Sequence, residues 1–210
     1  MRGVALFAAL AALALASPAW ADENDLREFR IGMAVGDLPR SGYKDLFCAD
    51  DAARKLEAWR DCTQCPATPS GLRAVRFRYD EAANPLSKVN DLYEGTKVGG
   101  HPVLLTLLIG EGRVEGLVIE TDPAARLYFR KKAFRFADQV KGRYGDEGWT
   151  CIEGQPTDGE EPVGGVFLKE HCTKQTPSRR ITLDRELFRK AGQDLKDFVS
   201  RSRLEVRGSG

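Results

Sequence analysis

The sequence predicts an α+β fold, in which a mainly antiparallel sheet built from hairpins is covered by one long amphipathic helix and stabilised by disulfides. Two apolar runs, 102–109 and 114–121, flank a glycine-containing turn, which is typical of a β-hairpin. Residues 123–144 carry apolar side chains at helical spacing. Five cysteines follow a segment typical of exported proteins, whose oxidising surroundings favour disulfides.

The first 21 residues have the three regions of a secretory signal peptide. Arg2 precedes an apolar run over 4–16, and the small-residue triplet 19–21 forms a cleavage site. The run is shorter than the roughly 20 residues that a membrane-spanning helix needs, and no later stretch approaches that length. We therefore expect removal of residues 1–21, a periplasmic or secreted location, and a soluble mature domain over 22–207.

The balance of positive and negative charge limits the kinds of partner that the protein is expected to bind. The chain of 210 residues has 32 Lys and Arg against 31 Asp and Glu, a formal net charge of +1. Removal of the leader takes away Arg2 and leaves 31 residues of each sign. This balance argues against bulk electrostatic binding to nucleic acid or to an anionic membrane, so we expect no nucleic-acid partner.

Local patterns predict the elements that precede the hairpin. Residues 43–48 and 72–80 alternate apolar and polar side chains, as half-buried strands do. Residues 52–60 place apolar side chains at spacings of four and three, which favours a short helix, although a strand also fits. Residues 81–100 are polar and rich in turn formers, which indicates a long loop or a boundary where two subdomains meet.

The hairpin and the segment after it carry the strongest signals. The run over 102–109 is apolar on both faces, so we expect a central strand with a cover. Asp122 is a good N-cap, Pro123 suits the first helical position and Gly145 suits the end, so the cover is predicted to be a helix over 123–144. Its apolar arc consists of Phe129, Ala133, Phe136, Ala137, Val140 and Tyr144.

Three elements are predicted in the C-terminal part of the chain. Residues 180–184 alternate as a strand does, and residues 194–203 favour a short helix. Residues 208–210, Gly-Ser-Gly, are expected to form a flexible end.

The cysteines are predicted to form two disulfides and to leave one thiol. Cys151 and Cys172 lie in two apparent strands around a turn-rich loop, so they should be bridged across a hairpin. Closure of a loop of that length stabilises a fold by roughly 3 kcal/mol. Cys48 would pair with Cys62 or with Cys65, and the spacing does not choose between them.

The Cys62-Thr63-Gln64-Cys65 motif also admits a thiol–disulfide redox function. A redox dithiol usually opens a helix, which favours its thiolate, but Pro66 and Pro69 follow here and disfavour a helix. Covalent haem attachment requires a His at position 66, and a zinc site would have to combine this pair with His171-Cys172. We therefore expect structural disulfides and no cofactor.

Local motifs for catalysis are absent from the sequence. It contains no serine-hydrolase elbow, phosphate loop, zinc-protease helix or dinucleotide fingerprint. His101 lies at the entrance of one predicted strand and His171 lies within another, next to Cys172, so structural roles suffice for both. An enzyme is therefore less favoured than a binding protein.

Two sets of charged residues are candidates for binding. Basic residues on the predicted helix would form a surface for a small anionic ligand or another envelope protein, although they would equally serve solubility: Arg126, Arg130, Lys131 and Arg135. Acidic residues gather in two groups, Asp45, Asp50, Asp51, Glu57 and Asp61, and Asp158, Glu160 and Glu161. Neither group has the ligand order of an EF-hand, so solvated charges are favoured over a metal site.

These observations together favour an exported, non-enzymatic accessory or binding protein. A thiol–disulfide redox protein that uses Cys62 and Cys65 is one alternative. A periplasmic metal-binding protein that uses the acidic loops is the other.

Overall fold

The computed structural model describes residues 25–90, 93–194 and 196–209. The predicted leader, 1–21, lies outside these ranges. Strands account for 47% of the structure and helices for 16%, and the strands form one 12-stranded antiparallel sheet. The predicted α+β class with one long covering helix is therefore wrong, because the molecule is mostly β-sheet.

The described strands are β1 (Tyr43–Cys48), β2 (Asp51–Lys55), β3 (Arg73–Tyr79), β4 (Lys88–Asn90), β5 (Tyr93–Val98), β6 (His101–Gly110), β7 (Arg113–Thr121), β8 (Thr150–Glu153), β9 (Glu160–Glu161), β10 (Leu168–Gln175), β11 (Arg179–Lys190) and β12 (Val199–Gly208). The α-helices are α1 (Leu127–Arg130) and α2 (Phe136–Tyr144). Short 3-10 segments cover Val35–Asp37, Trp59–Gln64, Pro85–Ser87 and Ala133–Arg135.

The main path of the sheet runs in the order β2-β1-β3-β6-β7-β12-β11-β10-β8. Strand β5 pairs with the start of β6 and with β4, while β9 pairs with the end of β11. The predicted hairpin is confirmed as β6 and β7, with Leu107 opposite Leu117. The strands predicted over 43–48, 72–80 and 180–184 are confirmed as β1, β3 and part of β11.

Two rows of side chains cross the core-facing side of the sheet in register. The first row is Phe77, Leu105, Ile119, Leu204, Leu183, Cys172 and Cys151. The second is Cys48, Val75, Leu107, Leu117, Val206, Ile181 and Lys174. Apart from Cys151 and Lys174 at the far end, each residue is at most 4% exposed. Cross-strand packing along these rows holds the sheet together.

Three segments cover this face of the sheet. The N-terminal segment contributes Leu26, Phe29 and Leu38, and the 3-10 helix Trp59–Gln64 contributes Trp59 and Cys62. Helix α2 contributes its buried side chains, Phe136, Ala137 and Val140.

The predicted helix over 123–144 is broken because strand β12 binds backbone groups within it. Phe134 N–H donates to Ser200 Oγ (3.3 Å), and Ser202 Oγ donates to the carbonyl of Ala133 (2.9 Å). A continuous helix would pair those groups internally. Cations four residues apart, such as Lys131 and Arg135, further disfavour a helix. The segment therefore forms one turn (α1), a 3-10 turn and the nine-residue α2.

Two other predicted elements differ from the structure. Residues 52–60 divide between edge strand β2 and the following 3-10 helix, because residues up to Lys55 pair with β1. Residues 199–203, predicted as helix, begin β12, which pairs with β7 on one side and β11 on the other. The ladder pairs the backbone on both sides of β12 and outweighs a weak helical pattern.

The stretch predicted as a loop, 81–100, contains β4 and β5. Its further interpretation as a boundary between subdomains stays a prediction, as does a flexible end over 208–210. At that end Gly208 closes β12, and Ser209 Oγ donates to the carbonyl of Pro177 at 2.8 Å. None of the described helices is long and apolar enough to cross a membrane.

Candidate functional site

A cleft of about 430 Å³ opens between the segment after the first 3-10 turn and the start of the 3-10 helix Trp59–Gln64. Apolar and aromatic side chains form its walls, and three charged side chains stand among them. Its lining consists of Val35, Gly36, Leu38, Pro39, Arg40, Tyr43, Leu46, Glu57, Ala58, Trp59 and Arg60. Ligand sites in proteins typically combine such a concave apolar surface with a few polar groups.

A hydrogen bond joins the two walls of the cleft. Trp59 Nε1 donates to the carbonyl of Pro39 at 2.8 Å, across 20 residues of sequence. Asp61 Oδ2 accepts a hydrogen bond from Ala58 N–H at 2.9 Å. This bond caps the 3-10 helix, of which Trp59 is the first residue. The indole N–H of Trp59 is thereby satisfied, and its ring presents an apolar surface.

The Cys48–Cys65 disulfide anchors the wall that carries Trp59. It joins the last residue of β1 to the residue that follows the 3-10 helix. Both cysteines are at most 1% exposed, and Arg73 donates a hydrogen bond to the carbonyl of Cys65. The bridge therefore fixes the 3-10 helix against the sheet.

Tyr43 and Trp59, which line the cleft, belong to an aromatic cluster with Phe29 and Phe77. The ring centroids of Tyr43 and Trp59 are 6.1 Å apart, and both rings contact Phe29 and Phe77 at 4.8–5.6 Å. Burial, and then the neighbouring Glu28, raise the pKa of Tyr43 well above its ordinary value. The raised pKa keeps Tyr43 a neutral phenol at physiological pH.

The charged side chains of the cleft are two arginines and one glutamate. Arg40, Glu57 and Arg60 are exposed, and among the described residues none of them forms an ion pair. The lining therefore has one net positive charge and two guanidinium groups that are available to a ligand. Guanidinium groups bind carboxylates, sulfonates and phosphates through paired hydrogen bonds.

The structure joins the cysteines in two pairs. Cys151 and Cys172 are disulfide-bonded and lie directly opposite each other on β8 and β10, the arrangement expected from the sequence. Cys48 bonds to Cys65, which leaves Cys62 as a buried free thiol. Burial raises the pKa of Cys62, so its reactive thiolate is disfavoured. The Cys62–Cys65 bridge that a redox function requires is not formed here.

The four basic residues proposed as a binding surface lie around α1 and the following 3-10 turn. Arg126, Lys131 and Arg135 are exposed. Arg130 is half-buried, donates to the carbonyl of Lys196 at 3.1 Å and lies over the ring of Phe198. Arg130 thus has a structural role, and the other three remain exposed.

Most of the acidic loop residues engage the protein's own donors, namely Asp45, Asp51, Asp61, Glu160 and Glu161. Asp45 accepts hydrogen bonds from Arg78, and the Glu160 carboxylate is 2.6 Å from Lys169 Nζ. Cys151, Glu170 and Cys172 form a group whose potential ligand atoms lie within 4.8 Å of one another, but its two sulfur atoms are bonded to each other. Thiolate ligands are therefore absent from this group in the disulfide state.

Neither histidine lies in the cleft. His101 packs edge-on against Phe136, with ring centroids 5.7 Å apart. His171 Nδ1 is 2.6 Å from Asp184 Oδ1 on the neighbouring strand.

The sequence does not indicate that the cleft residues form one site. It marks Glu57 only as a member of an acidic group, and Trp59 lies in the segment 52–60, whose spacing favours a short helix. The one signal in the sequence is the density of aromatic residues between 29 and 79, which also suits an ordinary core. Comparison of the chain with protein-family models, curated proteins and solved structures finds no match.

Proposed function

We propose that the chain is an exported, non-enzymatic binding protein that holds a small anion with an aromatic or aliphatic body. The observation that carries this proposal is the cleft of about 430 Å³, whose lining includes two arginines that have no ion-pair partner among the described residues. Val35, Leu38 and Trp59 would contact the apolar body of the ligand. Arg40 and Arg60 would bind its anionic group.

The composition of the cleft favours binding over catalysis. Its lining contains no Ser, Thr, Cys, His, Lys or Asp side chain. The phenol of Tyr43 is a poor base or nucleophile, because burial holds its pKa high. Glu57 is exposed and is the only carboxylate in the lining, which contains no histidine, so the lining holds no carboxylate pair or carboxylate–imidazole pair for acid–base catalysis.

Two features support export. The first 21 residues have the pattern of a secretory signal peptide, and four of the five cysteines form disulfides. Periplasmic or extracellular conditions would maintain both bridges, including the one that anchors the cleft wall.

A pair of fluorescent probes tests the proposal. 8-Anilinonaphthalene-1-sulfonate has an aromatic body and an anionic group, whereas N-phenyl-1-naphthylamine has a similar body and no charge. We expect the anionic probe to bind, and we expect Arg40→Gln or Arg60→Gln to weaken its binding by about tenfold, the effect of losing one charged hydrogen bond. The neutral probe should be affected much less, and Trp59→Leu should weaken both.

Lys55→Gln is the matched control, because Lys55 is an exposed cation on edge strand β2 outside the cleft. Calorimetric titration with the same probes gives the stoichiometry, for which we expect one site. The proposal is wrong if the anionic probe does not bind, or if the arginine variants and the Lys55 variant bind it equally well.

A further inference from the structure

Charge is strongly segregated in one segment of the chain. Residues 123–137 contain five basic side chains and no acidic one. Since the mature chain would have 31 residues of each sign, its remainder has 26 basic and 31 acidic residues. The basic residues are Arg126, Arg130, Lys131, Lys132 and Arg135.

The outward side of this segment combines cations with exposed apolar side chains. Tyr128 is 64% exposed and Leu127 37% exposed, which is unusual for large hydrophobic residues in this structure. Phe129 and Arg130 turn inward and line a small space beside His101. We call the remaining residues the basic–aromatic surface: Arg126, Leu127, Tyr128, Lys131, Lys132 and Arg135.

Contacts within this surface fix its aromatic side chain beside a cation. Lys132 Nζ donates to Tyr128 Oη at 2.9 Å and lies 4.2 Å from the centre of the Tyr128 ring. Two acidic residues flank the segment. Asp138 pairs with Arg185, which lies outside the surface, and Asp122 accepts from Ala124 N–H. The four cations of the surface outnumber these two flanking carboxylates.

We propose that the basic–aromatic surface binds an anionic phospholipid bilayer, with the cations at the headgroup phosphates and with Leu127 and Tyr128 in the interfacial layer. Tyrosine and basic side chains with adjacent apolar residues are typical of surfaces that lie in this layer. The proposal is independent of the cleft and its ligand.

The shape of the surface favours a lipid over an acidic protein. Protein interfaces usually centre on a side chain that fills a pocket. The large cleft of this molecule lies among residues 35–60, and the space beneath α1 is already lined by Phe129 and Arg130. A bilayer needs no pocket, only exposed apolar tips among cations.

The balanced charge of the whole chain does not oppose this proposal. Charges more than about 8 Å apart are largely screened at physiological ionic strength, so a membrane responds to the local surface. The excess of acidic residues elsewhere would instead orient the molecule, with the basic–aromatic surface towards the anionic lipids.

Vesicle co-sedimentation tests the proposal. The protein is purified from cells that express the full chain, and its N-terminus is established by intact-mass spectrometry. We expect binding to vesicles of equal parts phosphatidylglycerol and phosphatidylcholine, release by salt, and no binding to phosphatidylcholine alone. Lys131→Gln with Arg135→Gln should weaken binding by roughly 25-fold, about fivefold for each charge. Leu127→Ser with Tyr128→Ser should also weaken it.

The matched control is Lys55→Gln with Arg180→Gln, which removes two exposed charges from β2 and β11 and should leave vesicle binding unchanged. All substituted side chains are exposed or half-exposed, so the melting temperatures should stay close to that of the wild type. Equal binding to neutral vesicles overturns the proposal, as does a loss of binding in the Lys55/Arg180 control that equals the loss in the Lys131/Arg135 variant. Binding to polyglutamate without binding to anionic vesicles also overturns it, in favour of an acidic protein partner.

Discussion

Asp25 and Arg179, which are 154 residues apart in sequence, form a two-point ion pair. Arg179 Nε lies 2.7 Å from Asp25 Oδ1, and Nη2 lies 3.0 Å from Oδ2. Oδ2 also accepts from the N–H of Ile31 at 2.8 Å. The two side chains are 5% and 14% exposed. The pair therefore fastens the N-terminal segment, which covers part of the core, to the start of β11.

Removal of one member of this pair should be strongly destabilising. We expect Asp25→Asn to lower the free energy of unfolding by about 3 kcal/mol, because a largely buried guanidinium loses its counter-charge. Urea unfolding measures the change, and a double-mutant cycle with Arg179→Met isolates the coupling. Asp138→Asn is the control. The Asp138 side chain pairs with Arg185 but is 63% exposed, so this substitution should lower the free energy of unfolding by less than about 1 kcal/mol. Equal losses in the two aspartate variants would contradict this prediction.

The two disulfides should contribute similarly to stability and differently to binding. They join residues 17 and 21 positions apart, so removal of either should lower the free energy of unfolding by about 3 kcal/mol. Only the Cys48–Cys65 bridge anchors Trp59. We therefore expect Cys48→Ala with Cys65→Ala to abolish binding of the anionic probe under conditions where the protein remains folded. Cys151→Ala with Cys172→Ala should leave binding intact. Loss of binding in this variant, with binding kept in the Cys48/Cys65 variant, would show that the Cys48–Cys65 bridge does not anchor the cleft.

Lys174 should stabilise the end of helix α2. Its Nζ donates to the carbonyls of Tyr144 (2.5 Å), Gly145 (2.9 Å) and Glu147 (2.6 Å), where a helix leaves its last carbonyls unpaired. We expect Lys174→Met to lower the free energy of unfolding by about 2 kcal/mol, the effect of losing charged hydrogen bonds. Lys190→Met, at an exposed position, is the control for urea unfolding. Indistinguishable midpoints for the two variants would show that the three contacts add nothing to stability.

His101 should make stability depend on pH. Burial, and then the charge of Lys132, hold the pKa of His101 below its ordinary value of 6.5. As the pH falls below 6.5 the unfolded chain binds a proton that the folded chain does not, so the free energy of unfolding falls with pH until the folded pKa is passed. Urea midpoints at pH 7 and pH 5.5 measure this fall. We expect His101→Gln to reduce it, and an unchanged fall would assign the dependence to other groups.

Patterns within single segments were enough to predict several elements. The alternation over β3 and the two apolar runs around Gly110 and Gly112 depend on neighbours in sequence, so their strands follow from local physics. Cys151 and Cys172 likewise belong to one hairpin, and their bridge closes a short distance. For the hairpin and the disulfide the partner lies close in sequence, so a local pattern also determines the contact, whereas for β3 the pattern determines only the strand and not its partners β1 and β6.

The other elements depend on partners that are distant in sequence. The segment 194–203 was predicted as a helix, but β7 and β11 bind the backbone of its second half on both sides and make it part of strand β12. The serines of that strand then take backbone partners from Ala133 and Phe134 and break the predicted long helix. Amphipathic spacing alone does not choose between helix and strand when a tertiary partner offers the hydrogen bonds.

The sequence by itself determined the central hairpin, the strand over 72–80 and the Cys151–Cys172 disulfide, while the export signal stays a prediction. Only the tertiary structure decided that Cys65 pairs with Cys48, that Trp59 reaches Pro39, and that Arg40 and Arg60 line one cleft. The physical reason is that the residues of a cleft come together only when the core is buried. Their positions therefore depend on the packing of the whole sheet. No single segment contains the information that sets those distances.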